Sequence, residues 1–187
     1  MDRSEPRRVE ERLLSEVLLA LAMAALALVQ VTLLPTPLGF PPALMLVVVV
    51  CRVLIAVRQP RPDREMGRTL RSAFYGGLVL DLFSSTPLGT HILALLAAAT
   101  LVFALVRRLH IEGPLFPLLA ILPGGLAYEL VLALVYQATV APFVWSAYAL
   151  VIILPSVLVS LILTLPTFFV LRWLLADKPT DKRPGVF

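Results

Sequence analysis

Charge is scarce in this chain. Asp, Glu, Lys and Arg make up 15% of its 187 residues, against 59% hydrophobic residues. Cysteine is nearly absent too. The single Cys51 excludes an internal disulfide and a multi-cysteine metal site. It lies within an apolar run, which points to a buried, inert thiol. There is no phosphate-binding loop, dinucleotide fingerprint or HExxH pair, and no convincing internal repeat. Nor is there the alternation of apolar and polar residues, in segments of about ten, that a membrane β-barrel needs. The net charge of +4 is small, and its distribution suits membrane topology and anionic lipid better than nucleic acid.

What the chain does have is long apolar blocks, with a mean hydropathy of +0.93. A soluble domain of this size cannot hide so much apolar surface in one core. The expected fold is all-α: a polytopic membrane protein of six transmembrane helices in a single domain over residues 13–173, with polar tails at 1–12 and 174–187. The spans are placed at about 13–34, 43–57, 69–83, 88–106, 114–137 and 147–171. The first block is long enough for a bilayer core of about 30 Å at about 1.5 Å per residue. It ends in Leu33-Leu34-Pro35-Thr36-Pro37 rather than a small-residue cleavage site, so it is expected to stay as a span. The second span is short, with Arg52 placed to snorkel and Glu16 of the first span expected to be solvated. Trp145 suits an interfacial anchor, and Pro155 and Pro166 are expected to kink the last span.

Lys and Arg fall in four places: the tail before span one, the 52–71 region, Arg107-Arg108, and the C-terminal end from Arg172. These hold all 16, and the three intervening loops hold none. The positive-inside rule then puts both termini in the cytoplasm.

One stretch stands apart. Gly76-Gly77-Leu78-Val79-Leu80-Asp81-Leu82-Phe83-Ser84-Ser85-Thr86-Pro87-Leu88-Gly89-Thr90-His91 sets an acid, a histidine and several hydroxyls among lipid-facing residues. An ionisable group there needs a reason. Asp81 suits a proton relay, a ligand contact or a partner-binding charge. Equally, it suits a structural carboxylate bonded to the Ser84–Thr86 backbone or to His91. Thr86 reads as an N-cap with Pro87 at the first helical position. His91 reads first as a hydrogen-bonded residue near an interface. Glu129, about eight residues before the outer end of span five, suits an interhelical hydrogen bond or a ligand group. All three fall in the outer half of the membrane and are expected to share a polar pocket if spans three to five pack together. Their spacing matches no recurrent metal motif, and no cofactor is implied. Ser84 and Ser85 with His91 lack a nucleophile elbow, so an intramembrane hydrolase is the least favoured class. Gly76, Gly77, Gly124 and Gly125 fit ordinary close helix packing.

From Gly77 through Asp81, Ser84, Ser85, Thr86, Pro87, Leu88 and Gly89, the stretch resembles the signature of the rod shape-determining MreD family: a glycine, an apolar run, an aspartate, a small polar turn and Pro-Leu-Gly. Gln30 late in span one, the prolines at 35–42 and the basic loop after span two agree with it. The resemblance implies a non-enzymatic, multi-pass subunit of the bacterial cytoplasmic (inner) membrane. Its partners would be an MreC-like single-span protein, RodA with its class B penicillin-binding protein, and, indirectly, MreB filaments. It would support sidewall peptidoglycan synthesis and cell shape. It also implies a fold similar to the substrate-binding subunits of energy-coupling-factor transporters. That kinship supplies an alternative: a membrane subunit that binds a small molecule or lipid through Asp81, His91 and Glu129. Such a subunit would dock its coupling partner on an alanine surface such as Ala94, Ala97, Ala98 and Ala99.

Overall fold

Inside a bilayer the backbone has no water to bond, and a continuous apolar block satisfies its own N–H and C=O groups as a helix. In the computed structural model, residues 5–33, 43–84, 86–109, 116–139 and 145–176 are described, and no strand occurs among them. The helices are α1 (Glu5–Leu33), α2 (Leu44–Val57), α3 (Pro62–Phe83), α4 (Thr90–Leu109), α5 (Phe116–Thr139), α6 (Trp145–Tyr148) and α7 (Leu154–Ala176). A π-helical turn, Ala149–Ile153, joins α6 to α7.

Four stretches are long and apolar enough to cross a membrane: Leu13–Thr32, Thr90–Arg108, Pro117–Thr139 and Trp145–Trp173. The other two helices fall short for different reasons. α2 is apolar but has only 14 residues, about 21 Å at helical rise. α3 has 22 residues, but Asp63, Arg64, Glu65, Arg68 and Arg71 crowd its first half.

α2 explains the packing. Apart from Arg52 it is apolar on every side, the pattern of a helix without a solvent face. Met45 to Cys51, Val53, Leu54 and Ala56 are all buried. Around it stand α1, α3, α4, α5 and α7, all of which touch it. The outer surfaces of the bundle are apolar as well. Leu122, Leu126, Leu130 and Leu134 make an exposed stripe along α5, and Leu150, Leu154, Leu158 and Ile162 continue the theme on the last helical rod. So much exposed leucine suits contact with lipid tails.

The helices overrun their expected bounds. Residues 5–12, expected as tail, form the first turns of α1. α3 begins at Pro62 rather than near 69, because Pro suits the first helical position and Asp63 and Glu65 complement the helix dipole there. Glu16 is not simply solvated: it pairs with Arg71 of α3. Arg107 reaches Asp63 at 3.1 Å, so α4 is tied to α3 at the same charged end. Arg52 is half-buried there. The prolines of the last rod sit in two settings. The π turn lies just before Pro155, where a widened turn relieves the clash of the ring with the preceding carbonyls. The helix runs on through Pro166, as α5 does through Pro123. Cys51 is buried, with its Sγ 3.9 Å from the Thr164 carbonyl oxygen. The prolines at 35–42 and residues 177–187 lie outside the described residues.

Candidate functional site

α3 and α4 meet through glycine. A Cβ added at Gly77 would lie 2.6 Å from Ile92 Cα and 2.8 Å from Ile92 N. No other residue lets the two backbones come so close. One turn later Asp81 reaches the start of α4. Gly89 N–H donates to its Oδ2 at 2.9 Å, and His91 N–H donates to its Oδ1 at 2.9 Å. Ile92 N–H adds a longer bond of 3.4 Å to Oδ2. The His91 ring closes the arrangement, with Nδ1 2.8 Å from Oδ1. The orphan N–H groups of a helix start attract an anion, and here the preceding helix supplies it.

Asp81, not Thr86, therefore caps α4. The Thr86 hydroxyl pairs with Ser84 Oγ at 2.9 Å, and Thr86 N–H donates to the same oxygen. Pro87 is not in the helix; its carbonyl accepts from the Thr90 N–H and hydroxyl. Gly89, at φ +97°, is the residue from which α4 departs, a conformation that favours glycine. Its carbonyl accepts the Leu93 N–H at 2.9 Å. Leu88 is exposed, and Ser85 lies outside the described residues. The Asp81 side chain has no accessible surface. Its local bonds run to His91, Gly89 and Ile92, while the Ser84–Thr86 segment pairs with itself.

His91 links this joint to a cavity of about 200 Å³ at the end of the bundle away from the arginines. Gln30 of α1, Tyr128 and Glu129 of α5, and Tyr148 and Ser156 of the last rod give it polar lining, and Ala43, Leu132 and Ile152 give it an apolar wall. Ser156 Oγ donates to Glu129 Oε1. Gln30 Oε1 accepts the Met45 N–H at 2.8 Å, so α1 caps α2 much as α3 caps α4. The His91 and Tyr128 rings lie 6.4 Å apart, centre to centre.

His91 and Glu129 thus line one cavity, and Asp81 stands behind the His91 ring without reaching it. Sequence reasoning missed Tyr128, Tyr148 and Ser156, and took Gln30 only as part of a resemblance. A tyrosine beside an acid and a serine beside a proline were visible hints, but not which helices meet. Chemically, the cavity offers hydrogen-bonding groups set in an apolar wall, which suits binding. Among the described residues no group of three or more His, Cys, Asp or Glu is placed to hold a metal ion. The expected alanine docking surface lies inside the protein: Ala94, Ala98 and Ala99 are fully buried and Ala97 is half-buried.

No family model, curated protein or solved structure matches this chain.

Proposed function

We propose that this chain is a non-catalytic, MreD-like membrane subunit of a bacterial cell-elongation complex. It would bind an MreC-like single-span protein and bias the state of the RodA and class B penicillin-binding protein pair. One observation carries this reading. The residues of the resemblance meet in a single joint: Gly77 admits α4, Asp81 caps it, and Gly89 turns the chain into it. A signature accounted for by packing and capping suits a scaffold better than a catalyst. In this reading six spans cross the inner membrane with both termini in the cytoplasm. α2 is the sheltered second span, and the charged start of α3 projects into the cytoplasm. Exposed leucine faces give a partner's membrane helix a surface to pack on. Co-purification in detergent with an MreC-like single-span protein tests the proposal, and failure to capture one would sink it.

A second reading, capture of a small ligand or lipid, is favoured by the polar cavity. Its transporter form is weakened by the burial of the alanines that were to dock a coupling subunit.

A further inference from the structure

We propose that the cavity between α4, α5 and the last rod receives a primary ammonium group. The inference deepens the ligand-capture reading and takes from it the placement of this end in the outer leaflet. Tyr128 and Glu129 retain 4% and 6% of their surface, so both are almost wholly enclosed. The Tyr128 side chain nevertheless belongs to the cavity wall. Glu129 accepts from Ser156 on one oxygen, and its side chain lines the same cavity. His91 adds a third group. Its Nδ1 faces a carboxylate oxygen that already accepts a backbone N–H, so Nδ1 carries the proton. In the neutral ring, Nε2 is then left as an acceptor.

A carboxylate oxygen, an imidazole nitrogen and a phenol oxygen make three acceptors around one space. A primary ammonium has three N–H donors and a positive charge. It answers all three. An anion finds no Lys or Arg in the wall. The space of about 200 Å³ equals the liquid share of roughly seven waters, at about 30 Å³ each. That admits an aminoethyl group but not an acyl chain. Two sources carry this chemistry: the ethanolamine headgroup of a phospholipid, and a free small amine.

The test uses the full chain. In detergent, thermal unfolding is followed against ethanolamine hydrochloride, with choline chloride as the control that has no N–H to donate. In nanodiscs, native mass spectrometry compares retention of phosphatidylethanolamine with that of phosphatidylcholine. Binding in the detergent arm assigns a free amine, and binding in the nanodisc arm alone assigns the lipid. Glu129→Gln, which removes the opposite charge, and Tyr128→Phe should each weaken binding about tenfold or more, the scale of one lost hydrogen bond to a charged group. If Glu129→Gln does not fold, Tyr128→Phe still decides, because it removes only a hydroxyl from the cavity wall and keeps the ring. Equal response to choline, no response in either arm, or wild-type binding by a folded variant would overturn the inference. Loss of amine binding with capture of the single-span partner intact defeats this inference alone. The reverse result defeats the scaffold reading alone.

Discussion

Helices α3 and α5 carry the same short pattern: Gly76-Gly77-Leu78-Val79-Leu80-Asp81 in one and Gly124-Gly125-Leu126-Ala127-Tyr128-Glu129 in the other. The structure uses the two in opposite ways. In α3 both glycines are tight, Gly76 against the flexible Met45 side chain at 2.5 Å and Gly77 against the α4 backbone, which cannot move aside. In α5 the first glycine is tighter, against methyls of Val102 and Val50, and Gly125 has ordinary room at 3.5 Å from Val157. The acids diverge as well. Asp81 is sealed, both oxygens taken by the start of α4. Glu129 bonds Ser156 and faces a cavity. A glycine pair brings a neighbour close, and what that neighbour presents decides whether the acid becomes a cap or a binding group.

Mutations break the comparison in a definite order, read by thermal unfolding of the full chain in detergent. Asp81→Ala should cost most, about 2–4 kcal/mol, since it strands the half-buried Gly89 and His91 N–H groups at the start of α4 and leaves a void in a buried site. Asp81→Asn keeps one acceptor and should cost about half as much. An Asp81→Ala protein as stable as wild type would mean that the cap does not hold the hairpin. Gly77→Ala comes next, at about 1–3 kcal/mol, because backbone rather than side chain must give way. Gly124→Ala should cost about 1 kcal/mol, for the methyls of two stiff valines must shift. The smallest effect sharpens the contrast by its sign. Gly125→Ala should stabilise by about 0.5–1 kcal/mol, the usual gain from alanine in a helix where space allows. If Gly77→Ala and Gly125→Ala shift stability in the same direction, the two glycine pairs are not used differently.

Much of the fold was legible because it is written locally. Apolar blocks, prolines and arginine runs mark the helices and their order. The ends were harder: charged turns such as 62–68 read as loop, although Pro62 and the acids behind it start a helix. The candidate site was half legible. The need for a reason at Asp81 was plain, and so was a local structural role. That it caps a helix starting nine residues later depends on how close Gly77 lets α4 come, which no local pattern states. The cavity was less legible still. His91 and Glu129 stood out as ionisable groups, but Tyr128, Tyr148 and Ser156 are ordinary in a membrane helix until tertiary packing turns them toward one space. The centrality of α2 was hidden for the same reason, since an apolar helix reads alike whether lipid or protein surrounds it.

That central helix has a consequence for biogenesis. α2 leaves the ribosome well before α7, which packs along one of its flanks. Until α7 docks, a segment too short to span the bilayer comfortably stands with that flank open to lipid. Docking of α7 therefore closes the core around α2. The seam even holds its own reporter. Cys51 lies on α2 beside Thr164 of α7, so the only thiol in the chain loses its access to reagents as the last helix arrives.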